Sequence, residues 1–419
     1  MDDFTEGFKM IADYLSLCFC DIIEYKGYGW FSNNSYNGLF KINLENGDIS
    51  WEAKFQSEED TAIMLHRKIL RYEDFLFFFP ERGKTISVYN IALNHMESIS
   101  LQPFYDLEKK CNVNDVVMQD CENCIIFPQH VYQPLLKMNL RTRVIVKTDE
   151  WNFEIKRRCP AADLIADLCM HSGKAYCLIP GTHTIFETEF NTLRVKEYFV
   201  SKWDLCGAIF TWDSDRIWTV NSDCTKLMSF DLSDEATETI RLPEQFVLNH
   251  YNANGIIATE EYVILLPGIA EEIILYHKQT KEFSVLSDYP DDFRWKNVFD
   301  MDIERFPKFY GSIKKSGFVY LFPFLGTHML KLNLKNKQIS NVNIPFCYTK
   351  QDSPGWKVLN EKLKAGRIKE YEGDLEKFLN MIEKNHIGTN MYKEQRTFQN
   401  GKNIFEYIKK ADKEIISNY

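Results

Sequence analysis

Three of the nine histidines lie in short segments that resemble one another: His130 in FPQHVY, His183 in PGTHTI and His328 in LGTHML. The tripeptide Gly-Thr-His occurs twice, at 181–183 and at 326–328. Neutral imidazoles that converge on one face could bind a metal ion or act as a general base. In the alternative, each histidine bonds to the backbone of its own loop. The sequence favours this structural explanation over a joint site.

Acidic and aromatic side chains occupy comparable segments. The acidic ones are Glu81, Asp223, Glu271 and Glu272, and they are accompanied by Tyr36 and Tyr132. Carboxylates and aromatic rings on one face could hold a sugar or a basic peptide without catalysis. A charged residue at a loop tip is more often simply solvated.

The chain contains eleven cysteines, all before residue 350. Most lie inside apolar runs, such as Cys177 in AYCLIP, where a free thiol behaves as a small hydrophobic side chain. This usage is typical of a reducing compartment. Cys121 and Cys124 have the spacing of a zinc or redox pair, but no second such pair and no histidine at finger distance accompanies them. We therefore predict no metal site.

The sequence carries none of the common nucleotide-binding or catalytic motifs. It contains no GxxxxGK[ST] loop, no GxGxxG between a strand and a helix, no GxSxG and no HExxH. Kinases, zinc proteases and α/β-hydrolases are thus unsupported. No cofactor is predicted.

Composition and charge limit the class of protein further. Apolar residues make up 45% and charged residues 26% of the 419 residues, the balance of a soluble globular protein. Residues 1–350 carry a net charge of −12 and residues 351–419 a charge of +2. An acidic protein is a poor ligand for nucleic acid.

The sequence contains no uncharged apolar run of about 18 residues, so it predicts no membrane span. The acidic start MDDFTEGFKM and the richness in Asn, Lys and Ile lead us to expect a cytoplasmic bacterial protein.

One sequence pattern recurs seven times in the first 350 residues. It consists of a short apolar run, often closed by proline, then a loop, then a second apolar run that ends at a polar residue. Two examples are FLFFFPERGKTISVYNI from Phe75 and VYLFPFLGTHMLKLNL from Val319. The closing polar residues are Asn43, Asn90, Asn139, Glu189, Asp231, His277 and Asn333. Their spacing of 42 to 56 residues, with a mean of about 48, indicates internal repetition.

Each repeat has room for four strands. An apolar run precedes the recurring pattern, as in Ala62–Leu70. A strand of alternating apolar and polar residues follows it, as in 48–51. Four short antiparallel strands every 45–50 residues predict a β-propeller, most consistently one of seven blades. The aromatic content of 14% fits the packing between blades. The first repeat would contain its own inner strand, at about Leu17–Tyr25.

The repeat resembles kelch-like and related bacterial β-propellers over residues 20–345. The resemblance lies in the pattern, because the Gly-Gly pair of a kelch repeat is replaced by Pro180-Gly181 or Pro267-Gly268. It implies a fold and no particular activity.

The two ends of the chain differ from the repeats. Residues 1–16 place Phe4, Phe8, Ile11 and Leu15 at helical spacing, which predicts a short amphipathic helix. Residues 351–419 predict an amphipathic helical extension to the propeller of residues 1–350. This extension would dock on its own propeller or recruit another protein.

These observations favour a non-catalytic cytoplasmic scaffold. It would bind a protein partner through its acidic loop face, its helical tail or both. An alternative is a propeller-type enzyme that acts on a carbohydrate or small metabolite in the central funnel. A further alternative is a glycan-binding module.

Overall fold

The computed structural model shows a seven-bladed propeller. It describes residues 17–43, 46–105, 113–148, 150–160, 165, 167–179, 183–200, 209–213, 216–221, 223–248, 253–268, 270–295, 308–315, 317–345, 355 and 358. Within these residues, 28 β-strands form seven antiparallel sheets, and the four strands of each sheet are consecutive in sequence. The predicted all-β fold of seven four-stranded blades is confirmed.

The blades follow one another along the chain. Blade 1 contains β1 (Ile23–Tyr25), β2 (Tyr28–Ser32), β3 (Leu39–Asn43) and β4 (Ile49–Ala53), and blade 2 contains β5 (His66–Tyr72), β6 (Phe75–Pro80), β7 (Thr85–Asn90) and β8 (His95–Ser100). Blade 3 contains β9 (Val113–Met118), β10 (Asn123–Pro128), β11 (Leu135–Asn139) and β12 (Ile145–Thr148), and blade 4 contains β13 (Asp167–His171), β14 (Lys174–Leu178), β15 (Thr184–Glu189) and β16 (Val195–Phe199).

The remaining blades repeat this arrangement. Blade 5 contains β17 (Phe210–Asp213), β18 (Arg216–Val220), β19 (Lys226–Asp231) and β20 (Thr237–Arg241), and blade 6 contains β21 (Ala253–Ala258), β22 (Tyr262–Pro267), β23 (Ile273–His277) and β24 (Phe283–Leu286). Blade 7 contains β25 (Ser312–Lys315), β26 (Phe318–Leu321), β27 (His328–Asn333) and β28 (Gln338–Pro345). Two helices that the sequence did not predict, α1 (Glu150–Arg158) and α2 (Glu244–Leu248), lie in connections between blades.

The polar residue that closes each repeat is the last residue of the third strand in all seven blades. Its side chain accepts a hydrogen bond from the turn that follows. For example, Asn139 Oδ1 accepts from the N–H of Thr142 at 2.8 Å, and Asp231 Oδ1 accepts from the N–H of Ser233 at 2.9 Å. Short polar side chains favour turns for this reason. The period in the sequence therefore has a local physical cause.

The same turn has a left-handed residue four positions after the polar one. These residues are Gly47, Asn94, Arg143, Leu193, Glu235, Lys281 and Lys337. Only the first is glycine, and the other six have φ between 48° and 63°. A non-glycine residue in this region is uncommon. Its recurrence at one position in every blade shows that the turn geometry, rather than glycine, is what the repeats share.

The first strand of each blade lines the central channel, and from blade 1 to blade 5 each of these strands packs against the first strand of the next blade. The loops between second and third strands open on the same side as the connections between blades. We call this side the upper face. Apolar clusters fill the spaces between neighbouring blades, with aromatic pairs such as Trp218 and Tyr276, whose rings are 5.9 Å apart.

Among the residues that the structure describes, no strand is exchanged between the two ends of the ring. Blade 1 begins with the short strand β1, and residues 17–22 before it pair with no strand, so the predicted inner strand at Leu17–Tyr25 was too long. Side chains close the ring instead. The ring of Phe19 packs 4.5 Å from that of Phe31 in blade 1 and 5.2 Å from that of Phe322 in blade 7.

The predicted helix at residues 1–16 lies outside the described residues, and so does nearly all of the predicted extension at 351–419. Gly355 and Val358 are described. Gly355 lies against the ring of Tyr36 in blade 1, and Val358 is buried in the apolar cluster of that blade. Among the described residues, no helix is both long and apolar enough to cross a lipid bilayer.

Candidate functional site

A bulge in β5 brings two cationic side chains to one place. The pairing of β5 with β6 shifts so that His66 faces Pro80 and Lys68 faces Phe79, which leaves Arg67 as an extra residue. Proline has no N–H to donate, so the regular ladder ends at this position. A bulge re-aims side chains that would otherwise alternate between the two faces of a strand. Arg67 and Lys68 accordingly line the same cavity.

The inner strand of blade 3 repeats this device. Val113 faces Pro128 and Asp115 faces Phe127, so Asn114 is the extra residue. Asn114 and Asp115 line the same cavity as the cations from blade 2. The proline that closes the second strand thus places two successive polar side chains at the upper end of an inner strand.

The cavity at the upper end of the channel has a volume of about 330 Å³. Blades 1, 2, 3, 4 and 7 all contribute to it. Its lining residues are Cys20, Asp21, Ile22, Arg67, Lys68, Asn114, Asp115, Leu168, Tyr310, Gly311, Ser312, Ile313 and Phe322. We call this cavity the channel mouth. Its volume is at the lower end of the range of about 300–1,000 Å³ for small-molecule sites.

Lys68 forms the electrostatic centre of the channel mouth. Its Nζ lies 3.9 Å from Asp21 Oδ2 and 3.7 Å from Asp115 Oδ1, so it joins carboxylates from blades 1 and 3. The Asp115 carboxylate raises the pKa of Lys68. Burial raises the pKa of Asp21, although this carboxylate also accepts a hydrogen bond of 3.0 Å from the N–H of Ile69. The mouth therefore offers both signs of charge within one cavity.

A buried carboxyl group lies beside the channel mouth. Glu81 is only 6% exposed, and burial raises its pKa. Tyr310 donates to Glu81 Oε1 at 3.4 Å, and the thiol of Cys20 lies 3.7 Å from Oε2. Burial also raises the pKa of Tyr310 and of Cys20. A group of titratable side chains with shifted pKa values in a cleft is typical of a functional site.

The chemistry that these groups support is recognition of a compact polar group. Lys68 and Arg67 can hold an acceptor or an anion, and Asp115 can hold a donor or a cation. Glu81 with a raised pKa keeps its proton to a higher pH than an ordinary carboxyl, so it can donate a hydrogen bond. The thiol of Cys20 stays protonated for the same reason and is a weak nucleophile.

A second polar pair lies deeper in the molecule. Ser32 Oγ and His66 Nδ1 are 2.8 Å apart, the distance of a nucleophile and its base. Each residue is 3% exposed, and the imidazole packs 4.3 Å from the ring of Phe55. Burial lowers the pKa of His66 to about 3. A substrate has no access to this hydroxyl, so the pair is structural.

The three histidines singled out in the sequence all lie at loops of the upper face, in blades 3, 4 and 7. His130 stacks 4.9 Å from Tyr132, His183 is exposed with Phe199 at 6.2 Å, and Nδ1 of His328 lies 3.1 Å from Thr327 Oγ1. Within the described ranges, no group of three His, Cys, Asp or Glu side chains has the geometry of a metal site. Each of these contacts is to a neighbouring side chain, so the backbone bonds expected from the sequence stay a prediction.

The acidic residues singled out in the sequence differ in their surroundings. Glu81 is buried beside the channel mouth rather than solvated at a loop tip. Asp223 accepts hydrogen bonds from the N–H and the hydroxyl of Thr225, at 3.2 Å and 2.6 Å, and so stabilises its own loop. Glu271 is exposed and Glu272 is half-buried in the loop of blade 6. Tyr36 is fully buried, so its ring is not available for stacking on a ligand.

Sequence reasoning singled out none of the residues that line the channel mouth, and only Glu81 among those beside it. A signal was present in the inner strands, where Arg67-Lys68 and Asn114-Asp115 interrupt apolar runs. About 13 residues after each pair comes the proline that ends the next strand. The bulge that connects the two features depends on strand pairing, which the repeat pattern alone does not specify.

Comparisons with known proteins show a shared fold. No protein-family model matches the sequence, and no curated protein is significantly similar to it. A catalytically inactive virginiamycin B lyase from Staphylococcus aureus, solved with quinupristin, has a TM-score of 0.52 at 9% identity. The match covers 76% of this chain and 95% of that one.

Two further structures match at the same level. YCF48 bound to the D1 peptide has a TM-score of 0.51 at 9% identity, with 75% of this chain and 93% of that chain covered. A streptogramin B lyase has a TM-score of 0.50 at 12% identity, with coverage of 74% and 93%. This chain is similar to these proteins as a propeller. Because their functions differ, the shared fold implies no activity.

Proposed function

We propose that this protein is a non-catalytic binding propeller that takes a protein partner on its upper face. The channel mouth receives a polar side chain or a chain end of the partner, and the acidic loops around it contact the rest. The helical tail predicted from the sequence contributes a second contact. A kelch-like ancestry and a cytoplasmic location in a bacterium belong to the same proposal. Seven of the described cysteines form no disulfide, which supports a reducing compartment.

The observation that carries the proposal is the arrangement of charge in the channel mouth. Lys68, Asp21 and Asp115 come from three different blades and meet in one cavity. Polar side chains placed by two separate bulges are costly to a fold that could fill its channel with apolar groups. YCF48, a propeller of similar fold, is bound to a peptide, which supports a peptide as the kind of ligand.

Affinity capture with the immobilised full-length protein tests the proposal. Wild type is compared with Lys68→Ala, which removes the charge at the centre of the channel mouth. Arg141→Ala is the matched control, because Arg141 forms an exposed ion pair with Glu122 at 3.3 Å on the opposite face. We expect a partner to be retained by wild type and by Arg141→Ala, and lost with Lys68→Ala. If every captured protein is retained by all three, the channel mouth is not the binding site.

A chain that ends at residue 358 tests the contribution of the tail. It keeps Val358, which is buried against blade 1, and removes the residues that follow. We expect weaker capture of the same partner. Unchanged capture would remove the tail from the proposal and leave the upper face as the binding surface.

The second candidate is an enzyme or receptor for a small metabolite or a carbohydrate in the central funnel. The buried group of Glu81, Tyr310 and Cys20 favours it, because such a carboxyl can serve as a proton donor. A thermal-shift screen of amino acids, organic acids and monosaccharides would reveal a ligand. Stabilisation of wild type that Glu81→Gln abolishes would favour this candidate over the protein partner.

A further inference from the structure

The outer strand of blade 7 differs from most outer strands of the propeller. None of the eight residues of β28 is charged, whereas β4, β8, β12, β16 and β20 each carry at least one lysine, arginine or glutamate. Among the described strands at this position, only β24, with four residues, is also uncharged. Charged side chains on an edge strand deter other chains from pairing with it. β28 lacks this protection.

β28 also has an open edge. It lies at the end of its sheet and pairs regularly with β27 over residues 338–342. On its other side, no described residue forms a backbone hydrogen bond with it. Gln338 and Ser340 of this strand are exposed. Because every second residue of an edge strand directs its N–H and C=O outward, residues 338–342 offer donors and acceptors to an added strand.

Blade 7 is positively charged in a ring that is acidic overall. Residues 308–345 contain six lysines and no aspartate or glutamate, whereas residues 1–350 together carry a net charge of −12. Lys335 and Lys337 are exposed in the turn that leads into β28. Lys337 Nζ donates to Ser284 Oγ at 2.8 Å, and no carboxylate in the described part of the chain pairs with either lysine. An anionic group at this turn would be their first counter-ion.

Blade 1 shows which group blade 7 lacks. In blade 1, Lys41 of the third strand faces Ser50 of the outer strand and forms an ion pair of 3.1 Å with Glu52, two residues further along. In blade 7, Lys331 faces Ser340 in the same way. The residue two positions further along is a valine, so the glutamate of blade 1 has no equivalent here.

Lys331 lies over an aromatic ring instead of beside a carboxylate. Its Nζ is 4.1 Å from the centroid of the Phe318 ring, and it forms no ion pair with any residue that the structure describes. Neighbouring strands place side chains on a shared face, and Ser340, which lies between Lys331 and the open edge, is short. A carboxylate on a strand added beyond β28 would therefore lie on the same face as this lysine.

We infer that β28 is a docking edge for an acidic, extended segment of a protein partner, which adds to blade 7 as a fifth strand. The backbone of the segment pairs with residues 338–342, and its carboxylates lie near Lys331, Lys335 and Lys337. Complementary charge favours acidic over basic segments. The edge is on the outside of the ring and shares no residue with the channel mouth, so it is a second and separate binding surface.

Fluorescence anisotropy of a labelled peptide with the full-length protein tests the inference. The probe is an octapeptide of alternating glutamate and threonine, which places all its carboxylates on one face of a strand. We expect it to bind at about 50 mM salt and to bind more weakly at about 500 mM, because salt screens the lysines. The same peptide with lysine in place of glutamate should not bind. N-methylation of two neighbouring central residues keeps the charge but removes a backbone donor on each edge, and should weaken binding about tenfold.

Variants of blade 7 locate the site. Ser340→Glu supplies the carboxylate that faces Lys331 and repels an acidic strand, so it should weaken binding about tenfold. Lys331→Ala removes the unpaired charge and should weaken binding about threefold. Lys137→Ala is the matched control, because Lys137 lies two residues before the end of the third strand of blade 3, as Lys331 does in blade 7. This control should leave binding unchanged.

Several results would overturn the inference. One is absence of binding by the glutamate peptide at about 1 mM, the weak end of specific affinity. Another is binding that N-methylation or Ser340→Glu leaves unchanged. Binding that appears only after removal of residues 359–419 would assign the edge to the tail of this chain, and self-association that Ser340→Glu abolishes would assign it to a second copy. Lys68→Ala should not alter peptide binding, and a loss would place the peptide in the channel mouth instead.

Discussion

Blade 6 and the region where the ring closes are stabilised by different kinds of contact. In blade 6, all six residues of β22 (YVILLP) are buried, and the loop that follows carries an exposed Glu271. The corresponding loop of blade 1, residues 33–37, is buried and contains three asparagines that are fully inaccessible to solvent, Asn33, Asn34 and Asn37. One region is held by apolar packing, and the other by amides.

The asparagine-rich loop of blade 1 forms hydrogen bonds with the segment that precedes β1. Asn33 Oδ1 accepts from the N–H of Cys18 at 3.0 Å, and the N–H of Asn34 donates to the carbonyl of Cys18 at 2.7 Å. Residues 17–22 belong to no strand of the structure, and buried backbone groups require partners. The loop at residues 33–37 provides two of them, one from the side chain of Asn33 and one from the backbone of Asn34.

Substitution of one glycine in each region gives the largest expected difference. A Cβ on Gly311 would overlap the ring of Phe322 and lie 2.5 Å from the carbonyl oxygen of Cys20, whereas one on Gly255 in blade 6 would lie 3.1 Å from the side chain of Leu266. We expect Gly311→Ala to lower the free energy of unfolding by about 3 kcal/mol and Gly255→Ala by about 1 kcal/mol. Urea unfolding measures both. Equal losses in the free energy of unfolding would show that the backbone is packed no more closely at the ring closure than in blade 6.

Removal of one amide should have the next largest effect. Asn37 Nδ2 donates to the carbonyls of Phe55 and Glu58 at 2.9 Å and 3.0 Å, and its Oδ1 accepts from the N–H of Phe55. Asn37→Ala leaves these buried groups unpaired and should cost about 2–3 kcal/mol. Glu271→Ala, in the loop of blade 6, should change stability by less than about 0.5 kcal/mol. If a water molecule takes over the hydrogen bonds of the amide, the two variants will have the same free energy of unfolding, and the prediction is wrong.

The imidazole of His66 should make the closure region sensitive to acid. Its pKa is lowered to about 3 in the folded protein, against an ordinary value of 6.5, because it is buried. Between these values the unfolded chain binds a proton that the folded chain does not, so stability is complete above pH 6.5 and falls as the pH falls. The slope is about 1.4 kcal/mol per pH unit. We expect His66→Asn, measured by urea unfolding between pH 7 and pH 5, to abolish this slope.

The smallest effect should come from Glu81 and have the opposite sign. Its pKa is raised in the folded protein, so its contribution to stability is complete below pH 4.5 and is lost as the pH rises through the raised value. Glu81→Gln keeps a neutral side chain of the same shape. We expect the variant to be more stable than wild type at pH 8 by about 1 kcal/mol, and no more stable at pH 4. A variant that is less stable at pH 8 would mean that Glu81 is ionised in the fold.

The sequence alone determined the number of blades and the position of each third strand. This was accessible because the polar residue that closes each repeat interacts locally, with the N–H groups of a turn two or three residues away. The spacing of Asn43, Asn90 and Asn139 therefore reports the spacing of the blades. The sequence also placed His130 and His328 in loops of one face of the propeller.

Only the tertiary structure decided where the polar groups meet. Lys68, Asp21 and Asp115 are far apart in the sequence and come together because the inner strands of blades 2 and 3 and the segment before β1 converge on one channel. Arg67 faces the same cavity as Lys68 only because Pro80 interrupts a ladder formed with a different strand. Such contacts depend on the register and closure of the ring, which arise from the packing of all seven blades. A local pattern carries information about its own turn, whereas a site shared between blades exists only after the ring has closed.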